Sequence, residues 1–171
     1  EHHTRAMLDG QIHDVQQVAQ VIGNIKEELE KTCGPLKQVG VAAAGRSLYT
    51  LRSTAEIEAV SRGLLTQSDE RNLELAAVQA AQQQLATSNA VEDPTSYYCV
   101  GYSTMGYYLD GTKLTSLVGQ RGKTASIELI TTFLPRQVID SMQSSLQNAG
   151  LEMSTLTLEP IAAINVLIPP T

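Results

Sequence analysis

Two short apolar segments, about a hundred residues apart, constrain this chain more than any other feature. Val39, Val41 and the run Ala42-Ala43-Ala44 form one, small enough for a central strand covered on both faces. Leu151, Met153, Leu156 and Leu158 form the other. A lone strand leaves backbone donors and acceptors unpaired, so each segment needs a partner, and each is the obvious partner of the other. Glu1 to Gly45 is therefore expected to pack with Gly150 to Thr171, with residues 46–149 as an insertion.

Helical periodicity fills in the rest. Asp14 precedes Val15, Val18, Ile22, Ile25 and Leu29, one apolar stripe behind an N-cap acceptor. Cys33-Gly34-Pro35 ends it, because Gly takes a left-handed C-terminal position and Pro forbids continuation. Leu48 to Val60 reads as extended, hairpin-like chain. Thr66 and Asp69 have capping-box spacing, and Leu73, Ala76, Ala77, Ala80 and Leu85 give the helix that follows a small-residue face. Tyr97 to Leu109 and Leu114 to Val118 flank Asp110-Gly111, a hairpin signal, and Thr124 to Ile130 reads as a third strand. Pro135 opens a helix with Val138, Ile139, Met142, Leu146 and Ala149 on one face and Gly150 beyond its end. After the Leu151 to Leu158 strand, Pro160 starts a short helix through Ile161, Ile164 and Leu167. The order predicts an α/β fold, a mixed sheet with helices packed on it and no internal repeat.

Composition narrows function. With 42% hydrophobic and 18% charged residues, the chain can bury a core. A net charge of -6 excludes a broad phosphate-neutralising surface, so no nucleic-acid partner is expected. No apolar run approaches the roughly 20 residues of a membrane span, and no membrane contact is expected of this segment. Cys33 and Cys99 lack metal-ligand spacing and read as reduced thiols. His2, His3 and His13 cluster near the start without a Gly-x-Ser-x-Gly elbow, and Gly101, Gly106 and Gly111 fall in a strand and a turn rather than a phosphate loop. Gly119-Gln120-Arg121-Gly122-Lys123 reads as a solvated hairpin tip. No catalytic or metal-binding residue is assigned.

Three stretches carry a resemblance. Arg5 to Val15, with Gly10 before the first long helix, is similar to the entry into that helix in FtsA-like and PilM-like members of the actin and DnaK-type ATPase superfamily. Thr66-Gln67-Ser68-Asp69, opening an Ala-rich helix, resembles the Thr-capped helix of the subdomain inserted in FtsA. Ala149-Gly150-Leu151-Glu152 through Leu158-Glu159-Pro160-Ile161-Ala162-Ala163 resembles the strand and helix start before the superfamily's second phosphate loop. The resemblance implies that 1–45 and 150–171 form the edge of an actin-like subdomain around an inserted strand-helix-strand-strand interaction subdomain, 46–149. It further implies that the intact protein binds ATP and magnesium, with Glu159 near the metal and phosphates and Pro160 as a hinge. Residue by residue, the favoured reading of Glu159 in this segment is an ordinary carboxylate stabilising a helix N-terminus.

The superfamily's glycine-rich nucleotide loops have no counterpart in this sequence, so no cofactor and no ATP hydrolysis are expected of the segment itself. The expected role is assembly in the cytoplasm, at the inner face of the membrane through other parts of the protein, with division or envelope-assembly proteins as partners and self-association. A PilM-like pilus-assembly or secretion component is the alternative, and a small stand-alone nucleotide-binding enzyme is the alternative of another class. Five of six tyrosines lie between Tyr97 and Tyr108. Their amphipathic rings make Tyr102, Tyr107 and Tyr108 candidate interface residues beside a hairpin edge. The rival reading buries these rings under the helix that begins near Thr66.

Overall fold

The structure, a computed structural model, describes residues 6–8, 10–43, 48–88 and 91–158. A short ribbon, β1 (Met7–Leu8) and β2 (Gln11–Ile12), precedes α1 (Val15–Cys33) and β3 (Gln38–Ala43). β4 (Tyr49–Glu58), α2 (Gln67–Thr87), β5 (Tyr97–Leu109), β6 (Thr112–Leu114) and β7 (Thr124–Pro135) follow, then α3 (Arg136–Asn148) and β8 (Glu152–Leu158). The fold is α/β, and the chain divides into two compact units, 1–48 with 134–171, and 49–133. The second boundary falls earlier than the sequence reading placed it. α3 lies in the first unit because it packs on α1 and β8. The expected helix from Pro160 lies outside the described residues.

In the first unit β3 and β8 pair in parallel. Met153 and Leu156 are three residues apart, and strict alternation would send them to opposite faces. A bulge resolves this. Val39 lies opposite Met153, but Gly40 lies opposite Thr155, so Ser154 is the extra residue. Its hydroxyl donates to the Val39 carbonyl at 3.2 Å. Met153, Leu156 and Leu158 thereby share one face with Val39, Val41 and Ala43, while Gln38, Gly40 and Ala42 are exposed. The cover on both faces expected for the Val39–Ala44 segment is therefore not found for the described Val39–Ala43, whose second face is exposed, nor is it a central strand, since among the described residues β8 is its one strand neighbour.

Asp14 caps α1 by accepting from the Gln17 N–H at 3.0 Å. Gly34, at φ 77°, ends it. Lys26 donates to the carbonyls of Ala149 and Gly150 at 3.4 and 3.2 Å, satisfying the end of α3 with a cation. The stripe on α1 is only half used. Val18 is buried, whereas Ile25 and Leu29 are 53% and 48% exposed. With Ile22, Leu36, Val39 and Leu151 they line an apolar cavity of about 190 Å³.

The second unit is a four-stranded sheet, order β4-β7-β5-β6, with α2 on one face. Within the expected hairpin-like stretch 48–60, Tyr49–Glu58 form one long strand rather than a hairpin, because their partner is β7 and not a neighbour in sequence. Tyr49 lies opposite Phe133 and Glu58 opposite Thr124. Leu73, Ala77, Ala81 and Leu85 are the buried apolar residues of α2, four apart and so on one face. Ala76, expected there, is exposed, and Ala81 takes the place expected of Ala80. These small side chains let the backbones approach. The Ser53 hydroxyl of β4 donates to the Ala77 carbonyl at 2.7 Å. Ile127, Leu129 and Tyr107 complete a core with Leu65 and Leu117.

The α2 N-terminus is a full capping box. The Asp69 N–H donates to the Thr66 hydroxyl, and Asp69 Oδ2 accepts from the Thr66 N–H at 2.8 Å. Arg62 pairs with the other carboxylate oxygen at 2.8 Å. The Thr66 backbone donor, then its hydroxyl, hold the Asp69 carboxyl below its ordinary value despite the opposing effect of burial.

Replacing Leu73 by Ala removes a fully buried side chain facing the sheet. It should cost about 2–5 kcal/mol in urea or thermal unfolding of the second unit. Leu75→Ala, at a position 55% exposed, should stay within about 0.5 kcal/mol. Equal effects of the two would refute the assignment of the buried face.

Candidate interaction surface

β-branched and aromatic residues make β5 a strand, and the Asp110-Gly111 turn fixes its end. Both turn residues have positive φ, 48° and 83°, as a two-residue hairpin requires. Asp110 Oδ1 accepts from the N–H groups of Lys123 and Thr124, each at 2.9 Å, and the Asp110 N–H donates to the Thr124 carbonyl. A Cβ at Gly122 would meet the Leu109 side chain at 2.5 Å. The 119–123 glycine turn is thus a buttress for the hairpin rather than a free tip. The third strand beyond it runs on to Pro135, five residues past its expected end. β6 stops at Leu114, short of the expected Val118. Glu70 draws the chain away from the sheet by accepting from the Ser116 hydroxyl and the Leu117 N–H.

The three candidate tyrosines are separated by their surroundings. Tyr107 is 8% exposed, in the core beneath α2, and its hydroxyl donates to Glu74 Oε1 at 2.8 Å. Its side chain cannot meet a partner, which corrects the interface reading for this residue. Tyr102 is 47% exposed and donates to the other Glu74 oxygen at 3.3 Å. Tyr108 is half-buried and donates to Glu128 at 3.4 Å, where Arg52 also approaches. Glu74 therefore joins two of the three rings, and Glu128 holds the third. Sequence reading missed Glu70 and Glu74. Their signal was present: they are one turn apart and flank Leu73, the first buried residue of the apolar face.

Burial first, and the Glu74 carboxylate second, raise the Tyr107 phenol above the ordinary tyrosine range. Tyr102 shifts the same way, for the same causes in the same order. Burial also raises the Cys99 thiol, so it is not an activated nucleophile. Both cysteines are free.

From Tyr102 to Met105 four consecutive residues are exposed, where alternation would bury every second one. β6 faces only Tyr107, Tyr108 and Leu109. The preceding part of β5 therefore has no strand on that side among the described residues. Glu159 and Pro160, the candidate cofactor residues, lie outside the described residues. Among the described residues, no group of His, Cys, Asp and Glu is arranged to hold a metal ion. No described helix is long and apolar enough to cross a membrane.

No protein-family model matches this chain, and no curated protein matches it. Among solved structures it is similar to a chain of a PilM-PilN type IV pilus biogenesis complex, with a TM-score of 0.60 and 14% identity. The match covers 96% of this chain and 40% of that one. Nearly the whole fold thus has a solved counterpart, and this chain spans less than half of that counterpart's length.

Replacing Tyr107 by Phe keeps the ring and removes its bond to a carboxylate. It should cost about 1–2 kcal/mol, against less than about 0.5 kcal/mol for Tyr102→Phe at an exposed site. The raised phenol also fixes a pH dependence. A group kept neutral by folding contributes stability fully below its unfolded value, about 10, and loses it as pH rises through the folded value. Absorbance titration should show tyrosine ionisation held back until the protein unfolds, and Tyr107→Phe should remove the most resistant component. An unchanged titration after the substitution would refute the assignment.

Proposed function

We propose that this chain is the assembly-mediating part of an FtsA/PilM-like protein, with 49–133 as its interaction unit. The observation that carries the reading is the fold likeness, across 96% of this chain, to a chain solved in a PilM-PilN type IV pilus biogenesis complex. It agrees with the superfamily resemblance of the Thr66 cap and the Gly150 to Ala163 stretch. The intact protein binds ATP with magnesium, and Glu159 and Pro160 belong to that site. This segment supplies architecture and protein contacts on the cytoplasmic side of the membrane. Phosphate recognition needs backbone N–H groups gathered in a glycine-rich loop, the 119–123 glycine turn is taken up in buttressing the hairpin, and this speaks against a stand-alone nucleotide-binding enzyme.

Two partner systems fit this reading. The FtsA resemblance suggests division proteins, while the solved counterpart suggests pilus or secretion assembly. Neither has the stronger support, because the likeness is one of fold.

Replacing 49–133 in the full-length protein by a short linker tests the proposal and separates the two systems. The unit's ends, Tyr49 and Phe133, lie side by side, so a few residues can close the gap. The shortened protein should still bind magnesium ATP in calorimetric titration. Cells carrying it should either form filaments, if the partner is the division machinery, or lose surface pili or secretion. Normal division, piliation and secretion together would overturn the assembly role.

A further inference from the structure

We draw no further inference here: the strongest candidate, the apolar cavity of the first unit lined by Ile22, Ile25 and Leu29 of α1 with Leu36, Val39 and Leu151, is an open apolar face, and nothing in the structure shows what covers it.

Discussion

The pairing of β4 with β7 is the interaction on which the chain's organisation depends. An insertion can interrupt a folded unit only if its own ends come back together, since the host segments must remain close enough to pair. Tyr49 opposite Phe133 provides this, at the first and last residues of the second unit. β3 and β8 can therefore form a parallel pair although the whole second unit lies between them in sequence. A parallel pair always needs a crossover, and here the crossover holds an entire sheet as well as α3.

The sequence exposed the skeleton of this arrangement and hid several of its joints. Caps were legible because their chemistry is local. Asp14, Thr66 with Asp69, Gly34 and Asp110-Gly111 each act within a few residues, and all sit where their side chains or backbone freedom predict. Strand partners were not. Residues 48–60 carry no mark naming β7 as their neighbour, so a local hairpin was the natural inference. The parity break between Met153 and Leu156 was visible as a spacing, but only the register shows that a bulge at Ser154 resolves it. On α2 two positions were misassigned, Ala76, which is exposed, and Ala80, whose place Ala81 takes, because a helix of many alanines leaves the exact face to packing.

The candidate surface was legible in composition and misread in detail. The five clustered tyrosines lie on β5. Which of them face outward depended on Glu74 and Glu128, carboxylates supplied by α2 and β7. A carboxylate receiving a phenol hydroxyl is a tertiary event, and no spacing within β5 announces it. β6, three residues long, runs beside only the end of that strand.

The insertion also sets a timetable. During synthesis from the amino end, β3 emerges before β8 and must wait for it, while everything from Tyr49 to Phe133 appears in between. At about 5–20 residues per second that wait is several seconds, ample for a small antiparallel sheet with its helix to form. The intervening unit can finish before its host is complete, and once finished it delivers the returning chain beside the point of departure. The long-range β3–β8 pairing is thereby reduced to a short final closure, and much of the entropy of closing so long a loop has already been met by the unit that fills it.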